Sequence, residues 1–125
     1  MDWAVLEDNY IISLLETVYD ENDSKLVYVK EKLKRRGVEY LTLMEYNYIR
    51  KKNDLPQISI QNIEKLLFET VITYTDINKA TGISRPMLSM ILRETRNTTV
   101  LALRKICNCI SSKNPKVNKE SILEW

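Results

Sequence analysis

Apolar residues recur at three- and four-residue steps along most of the chain, the period of a helix that buries one face. In the first block, about residues 3–19, Trp3, Leu6, Tyr10, Ile11, Leu14, Leu15 and Val18 share one side, and the block stops in the polar run 20–24. Ser24 is suited to cap a second helix over about 25–36, with Leu26, Val29 and Leu33 inward and Lys30, Lys34 and Arg35 outward. Gly37 stands where that helix should end, after a cationic last turn that complements the negative end of the helix dipole. Across 38–52, Val38, Leu41, Met44, Tyr48 and Ile49 fit a third helix. VEYLTL alone also fits a short strand, and the helix is preferred.

The polar stretch KKNDLPQIS, 51–59, with Pro56 inside it, separates two apolar-periodic blocks and predicts a boundary. It divides the chain into a helical module at 1–54, a second domain at 59–110 and a tail at 111–125. Beyond the boundary, Ile60, Ile63, Leu66 and Leu67 mark a helix. Thr73 and Asp76 then form a capping box, with Asp in place of the usual Glu or Gln, which opens a short helix whose Ile77, Ala80 and Thr81 are expected to face inward. Gly82 ends that helix where a tight turn needs positive φ, and Ile83 follows as a buried turn residue. Ser84 caps the next helix, and Pro86 sits in its first turn, where a missing N–H costs little. Leu88, Ile91 and Leu92 face inward; Arg85, Pro86, Ser89, Met90 and Arg93 face out. Two helices joined by a glycine turn, the second polar and cationic outside, form the pattern that reads DNA in the major groove.

The segment 59–110 resembles the Cro/CI-type (Xre family) helix-turn-helix of phage and plasmid DNA-binding proteins. The matching residues are INKATGIS, SRPMLSMI on the second helix, and RNTTVLALRKI, which resembles the family's fourth helix with Leu103 and Ile106 at core positions. Asn78, Leu92, Glu94 and Thr98 depart from the residues common at their positions, and Pro86 occupies one that often supplies a reader. The resemblance implies base contacts from Arg85 and Ser89, and from Ser84 or Met90, with phosphate contacts from Tyr74, Arg93 and Arg96. Arg85 would donate two hydrogen bonds to a guanine edge, and Met90 would pack on a thymine methyl.

Composition adds charge to this picture. The net charge of +2 conceals seven acids and no Lys or Arg in residues 1–23 (−7), against nine basic and four acidic side chains in 24–60 (+5) and ten and six in 61–125 (+4). An acidic head on a basic body suits a body that meets polyanions. The clusters KEKLKRR at 30–36 and RKK at 50–52 read as exposed faces and cationic helix ends; an extended phosphate-contacting surface is the alternative. The seven tyrosines are assigned to packing between helices ahead of base stacking. For the tail, disorder and docking of Trp125 on the N-terminal module or a second subunit stand equally.

Two Gly and three Pro in 125 residues argue for long helices, so an all-α fold is expected: a helical N-terminal module, then a four- to five-helix Cro/CI-like domain. The chain holds no histidine, and Cys107 and Cys109, one residue apart, read as buried reduced thiols, so neither a metal site nor a cofactor is expected. No phosphate loop, nucleophile elbow or spaced carboxylate pair appears, which points away from an enzyme. No apolar run approaches the roughly 20 residues of a membrane span, and the N-terminus lacks a basic leader, so a soluble cytoplasmic chain is expected. The expected function is sequence-specific binding of double-stranded DNA by a homodimeric transcriptional regulator or repressor. The alternative is a helical protein-binding module (host-protein inhibitor, adaptor or antitoxin), suggested by the acidic first helix with Trp3 and Tyr10 among its carboxylates.

Overall fold

The computed structural model describes residues 4–93, 98–117 and 119–124; Trp3, Glu94, Arg96 and Trp125 lie outside the described residues. The architecture is all-α: α1 (Asp8–Val18), α2 (Ser24–Arg36), α3 (Leu43–Lys52), α4 (Ile60–Glu69), α5 (Tyr74–Thr81), α6 (Arg85–Arg93) and α7 (Val100–Lys113). Two short strands, β1 (Gln57–Ile58) and β2 (Leu123–Glu124), pair antiparallel.

Local side-chain chemistry sets most of the helix starts. Asp23, rather than the expected Ser24, caps α2 by accepting hydrogen bonds from the amides of Lys25 and Leu26 at 3.0 and 3.2 Å. Its carboxyl is held below the ordinary carboxylate range, chiefly by a 2.6 Å hydrogen bond from the Tyr48 hydroxyl. Gly37 ends α2 at φ 94°, as its position suggested. The segment 38–52 is not one helix. A 3-10 turn (Val38–Tyr40) leads to Thr42, whose capping box with Glu45 starts α3 afresh. That restart shifts the helical phase. The inward face is Leu43, Tyr46, Ile49 and Arg50, whereas Met44, expected inside, is 54% exposed.

One hydrophobic cluster joins Leu6, Ile11 and Leu15 of the N-terminal segment to Ile63, Ile77, Leu88 and Ile106, and to Ile122 of the tail. The proposed boundary at 51–59 therefore lies within a shared core, and β1 forms in it. The tail is anchored by the β1–β2 pair, by the Ser59 amide on the Ile122 carbonyl (2.7 Å), and by complete burial of Ile122. These pairings join residues more than sixty positions apart, which no local pattern could reveal.

The end of α4 holds an unexpected strain. Val71 lies at φ 56°, with its N–H on the Phe68 carbonyl and the Ile72 N–H on the Leu67 carbonyl. This is a Schellman closure, with buried Ile72 and Leu67 providing its hydrophobic contact, and its left-handed position ordinarily falls to glycine. A β-branched residue is disfavoured there, and Val71 is 81% exposed, so its side chain returns little burial energy. Val71→Gly is expected to raise unfolding free energy by about 1 kcal/mol in a urea titration. An unchanged or lowered midpoint would contradict this account.

Candidate nucleic-acid interface

The α5–α6 unit is built from short-range interactions. Thr73 accepts from the Asp76 amide and the Asp76 carboxylate accepts from the Thr73 amide, at 3.1 and 2.9 Å, as the capping box requires. These bonds, the Thr73 amide foremost, hold the Asp76 carboxyl below its ordinary range. α5 closes on Gly82 at φ 78°, ψ 0°. The Ser84 hydroxyl then accepts from the Met87 amide at 3.3 Å and opens α6.

The turn is clasped from both sides. The Asn78 amide donates to the Ile83 carbonyl at 2.9 Å, and the Thr81 hydroxyl accepts from the Ile83 amide at 3.1 Å. Asn78 is exposed and provides a polar tie across the turn. Two inward expectations fail here. Ala80 is exposed, because the eight-residue helix keeps only Ile77 fully inside, and Ile83 is half-buried.

Leu88, Ile91 and Leu92 hold α6 to the core. At about 100° per residue, Pro86, Met90 and Arg93 stand opposite that buried stripe, Arg85 and Ser89 run along one edge, and Met87 along the other. Ser84, Arg85, Met90 and Arg93 are exposed, while Ser89 and Tyr74 are half-buried. Tyr74 packs part of its ring against the core and keeps the rest at the start of α5. Arg96, the third expected phosphate contact, lies outside the described residues. Met87, 50% exposed, was not singled out in the sequence, although its two-residue offset from Arg85 places it on the opposite edge. Among the described residues, neither Arg85 nor Arg93 has a carboxylate within ion-pair distance.

No protein-family model, curated protein or solved structure matches this chain.

Behind α6, Thr99 caps α7 by accepting from the Ala102 amide at 3.2 Å. Val100, Leu103, Ile106, Cys107 and Ile110 carry α7 through the core. Both cysteines are buried and unbridged, and burial pushes the Cys107 thiol up to about 12. That value leaves the thiol protonated and inert at neutral pH. Thr98 is buried as well, its hydroxyl 3.4 Å from the Ile91 carbonyl of α6.

Not every cation is free to meet an anion. Arg104 donates to the Leu6 carbonyl at 2.7 Å and pairs with Asp8, which ties α7 to α1. In the 50–52 cluster, Arg50 is buried and Lys52 lies 3.4 Å from Asp23, so among the described residues only Lys51 is an unpaired surface cation. Elsewhere, a groove of about 790 Å³ lies among α2, α3, β1 and the start of α4, with Tyr28, Met44, Tyr48 and Ile60 flanked by Lys25 and Lys51. The described residues contain no cluster suited to a metal ion and no helix long and apolar enough to cross a membrane.

Proposed function

We propose that this protein binds double-stranded DNA sequence-specifically and acts as a transcriptional regulator of the phage or plasmid type. The observation that carries the reading is the α5–α6 pair. It is a capped helix, a left-handed glycine turn and a second capped helix with exposed Arg85, Met90 and Arg93 and a fully apolar inner face. Its resemblance to Cro/CI-type helix-turn-helix domains supports the same reading. In this mechanism α6 enters the major groove, Arg85 addresses a guanine edge and Met90 a thymine methyl, and Ser84 and Ser89 supply shorter polar contacts. Arg93 and Tyr74, with Arg96, hold the phosphates that set register. A homodimer would place two such helices about 34 Å apart over successive major grooves.

Selection from a randomised duplex library, followed by binding titrations, tests the reading. Arg85→Ala should weaken the selected site by about 10- to 100-fold, one bidentate contact, and leave non-specific duplex affinity nearly unchanged. Arg93→Ala should weaken both and reduce the salt slope by about one. A wild-type chain that binds no duplex at low salt would sink this reading. The protein-binding alternative would then take its place, with the tyrosine- and methionine-lined groove as its supporting feature.

A further inference from the structure

The last turn of α2 presents Lys34, Arg35 and Arg36 in succession, all exposed and none paired with a carboxylate among the described residues. One cation there satisfies the helix dipole, whereas three adjacent cations repel one another and concentrate counterions. The Arg36 guanidinium lies 4.5 Å from the centroid of the Tyr40 ring, which is itself 46% exposed, and this steadies the cluster at the surface. Glu39 is the one acid between residues 37 and 42 and leaves the charge strongly positive.

The position of this cluster is fixed relative to α6. From Gly37 the chain makes the 3-10 turn Val38–Tyr40 and then runs antiparallel to 98–100, with the Leu43 amide on the Thr98 carbonyl (2.6 Å) and the Val100 amide on the Leu41 carbonyl (2.9 Å). Thr98 in turn touches the Ile91 carbonyl in the last turn of α6. Val38, Leu41 and Leu43 are buried, so this connection is part of the core. The five steps from Arg36 to Leu41 span at most about 18 Å, so the cluster lies within that distance of Leu41, whose carbonyl accepts from the Val100 amide just past Thr98.

We propose that the cationic end of α2 is a second phosphate-binding surface, which grips the backbone of the duplex that α6 enters. This rests on the DNA-binding reading above and adds to it a role for the N-terminal segment. Each phosphate neutralised releases counterions, so the surface should appear in the salt dependence of binding to any sequence.

The test is fluorescence anisotropy on a random-sequence duplex of about 30 base pairs, three helical turns, with salt varied. The triple variant K34Q/R35Q/R36Q should lose about 10- to 100-fold in affinity and its log–log salt slope should become shallower by about 2–3. The control K25Q/K51Q removes two cations that flank the groove; Lys25 stands at the other end of α2, about 16 Å along the helix from Arg36, and Lys51 is on α3. It should change the slope by less than about 0.5. A triple variant with the wild-type slope overturns the proposal and leaves the DNA-binding reading standing. So does an equal loss per charge in the control, or weakened binding without a slope change. Should the triple variant melt early, K34Q/R35Q, which spares the Arg36–Tyr40 contact, must still make the slope shallower by about two. A wild-type chain that binds no duplex defeats both readings together.

Discussion

Arg50→Ala should cost about 3–5 kcal/mol of unfolding free energy, from a buried carbonyl left unsatisfied and the cavity left by a long buried side chain. Arg50 is 2% exposed, and its Nε donates to the Pro56 carbonyl at 2.5 Å. Its Nη1 lies 3.4 Å from the hydroxyls of both Tyr10 and Tyr46. Tyr46 is fully buried and donates to the Val5 carbonyl, so this one guanidinium joins α3 to the N-terminal segment and to the turn before β1. Burial dominates the environment and pushes the Tyr46 hydroxyl up to about 12, against the opposing pull of Arg50. Truncating Arg50 leaves the Pro56 carbonyl unsatisfied and opens a cavity beneath Tyr46. The loss should appear as a melting temperature about 10–20 °C lower. Lys51→Ala, one residue along and exposed, should stay within about 0.5 kcal/mol. Equal stabilities for the two variants would show that the network is not a structural hub.

Leu88→Ala should cost about 2–5 kcal/mol, the range for a buried leucine truncated in a close-packed core. Leu88 is fully buried and, with Ile91 and Leu92, is what holds α6 against the body of the protein. Arg85 lies only three residues away on the same helix, yet Arg85→Ala should shift stability by no more than about 0.5 kcal/mol while weakening the selected site by about 10- to 100-fold, as the proposed readout requires. Urea titration and duplex binding on the two variants separate anchoring from readout. If Leu88→Ala lost nothing in stability, α6 would not be seated as described. If Arg85→Ala unfolded the protein, its effect on binding would say nothing about base contact.

The caps and turn of the α5–α6 unit were legible, though the exposure of Ala80 and the partial burial of Ile83 were not, because those determinants of caps and turn act within five positions. Thr73 with Asp76, glycine at 82 and serine at 84 satisfy helix-end amides and turn geometry before any distant contact forms. The exposed face of α6 follows from helical period alone, which is why Arg85, Met90 and Arg93 could be placed on the surface in advance. The same period misled at 38–52. There Thr42 restarts the helix and exchanges Met44 for Tyr46 as the buried residue. RKK at 50–52 likewise reads as three surface charges, and only the positions of Val5, Tyr10 and Pro56 make the first of them a buried hub.

Residue order alone established the all-helical class, the caps of α5 and α6, the glycine turn and the cationic outer face of α6, because each depends on neighbours a turn or less away. Tertiary structure decided which cations remain free. Arg104 is held by Asp8 and Leu6, Lys52 by Asp23, and Arg50 by the core, whereas Lys34 and Arg35 reach solvent unpaired among the described residues. It also tied the segment that follows α2 to the segment that opens α7 through backbone bonds between residues 41–43 and 98–100. Those pairings span more than fifty residues, and their closure depends on the burial of a shared core rather than on local preference.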